Sequence, residues 1–359
     1  RLKLEYRTLA ETLHDAGYRT GHFGKWHLGR EPYDPFHQGF DVDVPHWHGP
    51  GPAGSYVAPW KFPASLNFAG APGEHLEDRM AREATAFITA NRDRPFFLNY
   101  WCFSVHSPWD AKKDLIDKYA AKARAQDLQR HPVTGAMVES MDDAVGTLLR
   151  TLDETGLADN TIIVFFSDNG GYAWDARNWP QYEGTPVTSN SPLRGGKATL
   201  YEGGTREPCI VVWPGHVQPG MKSEALIQSI DLYPTLLDML GLQPGAGQQF
   251  DGISITAALR GEALDREALF CFFPHAIAGE IGTRPGVWVR RGDWKLIRHF
   301  FDGEDGAHSY ELYNLREDLS EANNLAAAEP QRVRELDALI DGFLAETNAL
   351  LPRPNPAYD

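Results

Sequence analysis

Apolar runs alternate with segments of helical periodicity along most of the chain. Three runs rich in β-branched and aromatic side chains predict strands buried on both faces, at residues 96–103, 161–166 and 209–213. A shorter strand is predicted over residues 18–24. Apolar residues three and four positions apart predict helices at residues 7–16, 74–91, 111–125, 137–152 and 231–240. Because strands alternate with helices, we predict an α/β fold with a mostly parallel sheet sandwiched by helices.

The pattern changes after about residue 260. Short apolar–polar alternations and one periodic segment predict antiparallel strands and a closing helix, at residues 287–291, 294–300, 310–315 and 329–346. The first two of these strands are separated by Gly292-Asp293, which suits a hairpin turn. We therefore predict an α/β domain over residues 1–260 and a small C-terminal α+β subdomain over residues 261–359.

Composition and charge exclude some classes of function. The 359 residues are 42% hydrophobic, which suits a large globular core, and no apolar run is long enough to span a membrane. A net charge of −15 repels polyanions and argues against nucleic acid as a partner. The first residues lack the apolar block of a signal peptide. Cysteine usage leaves the redox compartment open, since Cys102, Cys209 and Cys271 cannot all pair with one another.

Polar side chains follow several of the predicted strands. Asp168 and Asn169 come after the 161–166 run, and both offer the hard oxygen ligands that suit Ca²⁺ or Mg²⁺. Lys25, His106 and Lys197 lie at other strand ends or in glycine-rich loops. Taken singly, these residues could be an Asx turn, a structural histidine and solvated lysines. Taken together, cations, imidazoles and a metal-ligand pair suit the chemistry of an oxyanion ester.

Six segments in order resemble motifs of the sulfatase family of the alkaline phosphatase-like superfamily. GYRTGHFGKWHLG at residues 17–29 is similar to the second sulfatase signature. The strand that ends in a histidine, the metal-binding element, the lysine-bearing loop and the C-terminal subdomain have their counterparts at residues 95–108, 166–171, 193–208, and 294–296 with 311–315. The resemblance covers nearly the whole chain.

The resemblance implies an alkaline phosphatase-like fold and a sulfuric ester hydrolase. It implies that Asp168 and Asn169 ligate Ca²⁺, with Mg²⁺ the less favoured ion, and that Lys25 and Lys197 hold sulfate oxygens. His106 would protonate the departing alcohol. His27 would hydrogen-bond the nucleophile and help to release sulfate from the covalent intermediate.

One part of the family pattern does not occur in this sequence. The family nucleophile is a formylglycine made from Cys or Ser in a Cys/Ser-x-Pro-x-Arg motif, and no cysteine or serine here has that context. The upstream aspartate pair that completes the metal shell is also missing. We expect the chain to lack its N-terminal part, with the formylglycine upstream of residue 1, and we expect the fragment by itself to be inactive.

Two irregular segments, at residues 30–73 and 172–192, would flank the site. They and their neighbours carry the aromatic and basic side chains that we expect to bind a sulfated sugar, namely Trp47, His48, Trp109, Arg177 and Arg194. Bracing of long loops is an equally good explanation for any single tryptophan. The expected partner is a sulfated carbohydrate, and the family expectation is a periplasmic or secreted protein. The sequence does not determine the sugar or the oligomeric state.

Two alternatives stay open. A phosphodiesterase or phosphonate monoester hydrolase of the same superfamily would share the metal scaffold. A non-catalytic protein that binds sulfated glycans would have lost the nucleophile.

Overall fold

The computed structural model describes residues 1–175, 179–277 and 281–353. Its helices are α1 (Leu9–Asp15), α2 (Leu76–Ala90), α3 (Lys113–Lys122), α4 (Pro132–Glu154), α5 (Glu202–Thr205), α6 (Leu232–Leu240), α7 (Thr256–Leu259) and α8 (Pro330–Glu346). Its strands are β1 (Arg19–Gly24), β2 (Val42–Val44), β3 (Phe96–Trp101), β4 (Ile163–Phe166), β5 (Cys209–Val212), β6 (Leu269–Phe273), β7 (Gly286–Arg291), β8 (Trp294–His299) and β9 (Ser309–Asn314).

The first sheet is parallel, in the order β2-β1-β3. Helix α2 covers one face, where Phe23 of β1 packs against Ala84 and Phe87. Helix α1 covers the other face, where Ala10 packs near Phe97 of β3. The sheet therefore has helices on both faces, as predicted, and the α/β class is confirmed.

Helix α1 shows how local sequence sets an element boundary. The Thr8 hydroxyl accepts a hydrogen bond from the Glu11 amide at 3.0 Å, and the Glu11 carboxylate accepts one from the Thr8 amide at 2.7 Å. This capping box satisfies two of the amides that a helix start leaves unpaired. Gly17, with φ of 90°, then turns the chain toward β1.

Strands β4 and β5 form a separate antiparallel pair, with Ile163 opposite Val212 and Phe166 opposite Cys209. The expectation that the segment at 209–213 joins a parallel sheet is wrong. Both strands were expected to be buried on both faces, but Ile210 is 59% exposed and Val212 is 44% exposed. The reason is that, within the described residues, these two strands pair only with each other.

The C-terminal part is an antiparallel sheet in the order β6-β7-β8-β9. Helix α8 covers one face, where Leu336 and Ile340 pack against Val287 and Leu296. The predicted hairpin at Gly292 is present, with Arg291 opposite Trp294. Strand β6 was not predicted, although its run of Leu-Phe-Cys-Phe-Phe is apolar and aromatic-rich like the runs that predicted the other buried strands. The domain boundary near residue 260 stays a prediction.

The long segment at residues 30–73 contributes to the core. Tyr56 is fully buried and Phe68 is 8% exposed, in one cluster with Met80 of α2 and Met137 of α4. Across residues 1–175, 179–277 and 281–353, the helices are all too short or too polar to cross a membrane.

Candidate active site

The carboxyl ends of β1 and β3 bring the first candidate residue into place. Gly24 is paired with Trp101, and a side-chain carbon at Gly24 would lie 1.9 Å from the Trp101 carbonyl oxygen. Gly24 also has φ of 115°, which favours glycine. The next amide, that of Lys25, donates to the same carbonyl at 2.9 Å. The half-buried Lys25 side chain therefore begins at the carboxyl end of β1, beside the carboxyl end of β3.

His106 is held in the turn that follows β3. The buried Tyr56 hydroxyl donates to the carbonyl oxygens of Phe103 and of His106, the latter at 3.0 Å. Nδ1 of His106 lies 2.8 Å from the Ser107 carbonyl oxygen. Because a carbonyl can only accept, Nδ1 carries a proton and donates it. Nε2 is then the ring nitrogen that is able to take up and release a proton.

The turn after β4 carries the two metal-ligand candidates. Asp168 is exposed and Asn169 is half-buried. The side-chain amide of Asn169 donates through Nδ2 to the Gly170 carbonyl at 3.1 Å, which leaves its Oδ1 oxygen for a cation. The Gly170 amide donates to the Gly204 carbonyl at 3.2 Å. A side-chain carbon at Gly170 would lie 1.8 Å from the Gly203 carbonyl oxygen, so this close approach requires glycine.

Lys197 is fastened to the same turn. Its amide donates to the Gly171 carbonyl at 3.0 Å. Asn190 joins the two loops, because its Nδ2 atom donates to the carbonyls of Gly171 and Gly195, both at 3.0 Å, and its Oδ1 atom accepts from the Gly171 amide at 3.2 Å. The loop that carries Lys197 therefore lies against the turn that carries Asp168.

Electrostatic effects connect four of the predicted residues. Burial lowers the pKa of Lys25, the Lys197 ammonium lowers it further, and the Asp168 carboxylate acts in the opposite direction. Burial lowers the pKa of His106, the hydrogen bond to Ser107 opposes this, and both lysines lower it. Two cations and an imidazole beside one carboxylate make a site that favours an anion bound with a metal ion.

The sequence analysis missed a second acidic residue beside this turn. Burial, and after it the Asp168 carboxylate, raises the pKa of Glu207 to about 7. Its Oε1 atom is buried and has no hydrogen-bond partner among the described residues. Since β5 runs antiparallel to β4, Glu207 at the start of β5 lies at the carboxyl end of β4, where the Ser167 amide donates to the Pro208 carbonyl at 3.4 Å. If β5 ran parallel to β4, Glu207 would lie at the amino end of β4 instead.

The donor chemistry fits a hard divalent cation. Asp168 and Asn169 offer a carboxylate and an amide oxygen, the ligands that Ca²⁺ and Mg²⁺ prefer. Ca²⁺ takes about six to eight oxygens, so these residues supply a part of the shell. Within residues 1–175, 179–277 and 281–353, no group of three or more His, Cys, Asp or Glu residues is arranged around a metal position.

Three further predicted residues lie on loops near this crevice. His27 has an exposed side chain two residues after Lys25. Trp47 stacks on His48 with ring centroids 5.5 Å apart, and its Nε1 atom donates to the Gly51 carbonyl at 2.8 Å. A side-chain carbon at Gly51 would lie 3.5 Å from Nδ1 of His106. The turn that carries Trp47 and His48 therefore adjoins the wall formed by His106.

An aromatic wall joins the two loops of the site. The ring of Trp109, three residues after His106, lies 5.0 Å from the ring of Tyr172, which follows Gly171. Trp174 contacts Tyr172 edge-on at 5.2 Å. Tyr172 was not among the predicted residues, although its position four residues after Asp168 could have indicated it. Arg177 lies outside the described residues.

The Arg194 side chain contacts residues of the C-terminal part of the chain. Its Nη1 atom donates to the Tyr313 hydroxyl at 3.1 Å and to the Glu321 carbonyl at 2.9 Å, and its guanidinium lies over the Tyr201 ring at 3.8 Å. These contacts tie the loop to the C-terminal subdomain. They offer no support for the predicted contact of Arg194 with substrate, which stays a prediction.

Comparison with known proteins identifies relatives along most of the chain. A family model described as Sulfatase matches residues 1–242, and one described as N-sulphoglucosamine sulphohydrolase, C-terminal, matches residues 196–345. Arylsulfatase A of Homo sapiens is 33% identical over 336 residues, which cover 86% of this chain and 61% of that protein. N-acetylgalactosamine-6-sulfatase of Rattus norvegicus is 32% identical over 317 residues, which cover 82% of this chain and 56% of that protein. The chain thus spans about three-fifths of the length of these curated relatives.

Solved structures show the same fold. Ps i-CgsB in complex with k-i-k-neocarrahexaose superimposes with a TM-score of 0.77 and 23% identity, over 95% of this chain and 74% of that chain. A phosphonate monoester hydrolase of Agrobacterium radiobacter superimposes with a TM-score of 0.64 and 17% identity, over 96% and 81%. These likenesses confirm the alkaline phosphatase-like fold. The family model described as Sulfatase matches more than half of the residues of this chain, and the chain therefore belongs to the sulfatase family.

Proposed function

We propose that the protein is a sulfuric ester hydrolase that removes sulfate from a carbohydrate or aryl sulfate. The observation that carries this proposal is that the charges of Asp168 and Lys197 both act on Lys25 and on His106, although these four residues lie on four separate stretches of sequence. Those groups match what a sulfate ester needs, namely cations for its oxygens, a metal position and an acid for its leaving group. The names of the two curated relatives support the same reaction.

Each residue has a proposed task. Lys25 and Lys197 neutralise the sulfate oxygens and hold the ester in one orientation. His106 delivers a proton from Nε2 to the departing alcohol, while its Nδ1–H bond to Ser107 keeps the ring in place. His27 is proposed to hydrogen-bond the nucleophile. Trp109, with Trp47 and His48, is proposed to line the sugar subsite.

Metal dependence is general in the sulfatase family, and we propose Ca²⁺ as the ion. Asp168 and Asn169 would hold it, and it would supply a further positive charge next to the sulfate. Asp168→Ala in the natural gene product should abolish Ca²⁺ binding, measured by calorimetry, together with sulfate release. Asp93→Ala is the matched control, since this exposed carboxylate precedes β3 at the other edge of the sheet. Retention of Ca²⁺ by the Asp168 variant would contradict the proposed ligand.

The nucleophile is proposed to be formylglycine, which adds the attacking oxygen in this family. This sequence holds no Cys/Ser-x-Pro-x-Arg motif to form it. The activity test therefore uses the protein as its gene encodes it, and mass spectrometry shows whether it carries the modification. Sulfate release from a sulfated sugar, followed by ion chromatography, is the expected result.

The phosphonate monoester hydrolase remains the second candidate because its fold superimposes on this one. Fold alone therefore does not separate the two activities. Faster release from a phosphonate monoester or phosphodiester than from any sulfate ester would favour this candidate.

A non-catalytic protein that binds sulfated glycans is the third candidate. Tight binding of a sulfated oligosaccharide without any turnover by the natural gene product would support it. We further propose a periplasmic or secreted location, which cell fractionation tests directly.

A further inference from the structure

The loop that carries Lys197 has a second side, which faces the C-terminal subdomain. We define the Lys197 loop as Leu193–Gly204. Its first side is bonded to the turn of Asp168 through Asn190 and Gly171. On its second side, contacts spaced along the loop reach residues that lie beyond position 280 in the sequence.

The first contact is a hydrogen-bonded centre built on one carboxylate. The Tyr201 hydroxyl donates to Glu311 on β9, at 3.1 Å to Oε1 and 3.0 Å to Oε2. Other donors to the same carboxylate are Tyr313, His299 at 2.8 Å and Arg284 at 3.1 Å. We call these residues, with Glu311, the Glu311 centre. Because four side chains share its two oxygens, the carboxylate is a fixed point to which Tyr201 is tied.

The second contact is a buried ion cluster at the end of the loop. Lys295 on β8 is fully buried, and its Nζ atom lies 2.9 Å from Glu202 and 2.9 Å from Glu321. The Glu202 amide donates to the Glu321 carboxylate at 2.7 Å. These contacts fix the residue directly after Tyr201 to the same sheet.

The third contact lies beside Lys197 itself. The Thr283 hydroxyl donates to the Ala198 carbonyl at 2.5 Å. Ala198 has φ of 70°, an unusual conformation for alanine, and this bond helps to hold it. Leu200 is 3% exposed and packs in one cluster with Trp288, Ile297 and Tyr313. The backbone on the C-terminal side of Lys197 is therefore held by the subdomain.

We propose that the Glu311 centre is a positioning device for Lys197: by anchoring Tyr201 it holds the Lys197 loop so that the Lys197 ammonium stays in the crevice with Lys25 and His106. Tyr201 and Glu311 are positioning residues, since they act through Lys197. The inference rests on the proposed function in one respect, the use of Lys197 to bind sulfate oxygens. It assigns to the C-terminal subdomain a part in sulfate binding.

The test compares two substitutions that each remove one tyrosine hydroxyl from a carboxylate. Tyr201→Phe removes the bonds to Glu311 and keeps the ring beneath Arg194. Tyr310→Phe is the matched control, because its hydroxyl donates at 2.9 Å to Asp337, away from the Lys197 loop. Hydrogen exchange is measured on peptides that cover Leu193–Gly204, in the presence of Ca²⁺. Calorimetry measures the affinity for inorganic sulfate, and the melting temperature monitors the fold.

Tyr201→Phe is expected to speed amide exchange in Leu193–Gly204 about tenfold, as the loss of a hydrogen bond to a charged group allows. It should weaken sulfate binding by about fivefold to tenfold at a melting temperature equal to that of Tyr310→Phe. If the Tyr201–Glu311 hydrogen bond only stabilised the fold, both substitutions would change the melting temperature and neither would change the affinity for sulfate. Equal exchange rates in both variants, or faster exchange with unchanged sulfate affinity, overturn the proposal.

Absence of sulfate binding in the unsubstituted protein would count against the proposed function of the site. The rate of amide hydrogen exchange in Leu193–Gly204 would still decide whether the Glu311 centre anchors the Lys197 loop.

Discussion

At the scale of single residues, the hydrogen bond from Nδ1 of His106 to Ser107 determines which ring nitrogen is available for chemistry. A proton on Nδ1 leaves Nε2 as the exchangeable site. Burial and the two nearby lysines lower the pKa of His106, so the protonated ring is a stronger acid than a free imidazolium. Such a ring suits donation to an alcohol leaving group.

His106→Ala should therefore affect substrates unequally. We expect kcat/KM for a sugar sulfate to fall by about 10²- to 10⁴-fold, the range of general acid catalysis, because a sugar alkoxide needs a proton to leave. An activated aryl sulfate should be affected far less, since a phenolate leaves unaided. Steady-state kinetics of the natural gene product measure both.

The exposed His14 at the end of α1 provides the control, and His14→Ala should keep both rates. Equal slowing of the two substrates by His106→Ala would remove the leaving-group role.

At the scale of elements, the site forms because the carboxyl ends of β1, β3 and β4 converge. Glycines make the convergence possible, since Gly24 and Gly170 each leave no room for a side chain against a neighbouring carbonyl. The antiparallel direction of β5 then brings Glu207 to the same end. Strand direction therefore decides which polar residues meet.

Gly24→Ala should be costly for this reason. We expect it to lower the free energy of unfolding by about 3 kcal/mol or more, from backbone strain at positive φ plus collision with Trp101. Gly73→Ala is the matched control, with φ of 82° and nothing within 4 Å of the added carbon. It should cost about 1 kcal/mol. Urea unfolding measures both, and equal losses would mean that collision with Trp101 contributes nothing.

At the scale of the whole molecule, the C-terminal sheet and the Lys197 loop are joined by buried charges. Lys295 lies between Glu202 and Glu321, residues that are 119 positions apart in the chain. Burial of such a cluster is tolerated only while every charge has its partner.

Lys295→Met would leave the buried carboxylate of Glu321 without a cation, and Glu202 would keep only the longer contacts to Arg206 at 3.5 Å and Arg290 at 3.6 Å. We expect a loss of about 3–5 kcal/mol in the free energy of unfolding, measured by urea titration. Lys118→Met, which breaks an exposed pair with Glu139 at 2.6 Å, should cause no measurable change. Equal effects of the two substitutions would show that burial of Lys295 adds nothing.

The Glu311 centre predicts a dependence of stability on pH. Burial opposes ionisation of Glu311, but hydrogen bonds from His299 and Tyr313 outweigh it and lower the pKa from 4.5 to about 2. A lowered pKa gives stability that is present above 4.5 and is lost as the pH falls through 2. At about 1.4 kcal/mol per pH unit, this amounts to about 3 kcal/mol.

Glu311→Gln should therefore lose about 3 kcal/mol less than the unsubstituted protein between pH 5 and pH 2. Urea unfolding at the two pH values gives the difference. Glu317→Gln, at an exposed position in the next turn, should keep the original slope. An unchanged slope in the Glu311 variant would contradict the lowered pKa.

The sequence by itself determined the α/β class and most element positions, because hydrophobic periodicity and strand-end polar residues are local signals, and the sulfatase motifs were found by their resemblance to a known family. Lys25, His106, Asp168 and Lys197 could be named in this way, and the structure places them within electrostatic range of one another.

Only the tertiary structure decided the direction of β5, the approach of Glu207 and Tyr172 to the site, and the turning of Arg194 toward Tyr313. Each of these depends on contacts between residues that are distant in the chain. Local sequence encodes the periodicity of a strand, but its neighbours and direction depend on the free energy of packing the whole molecule.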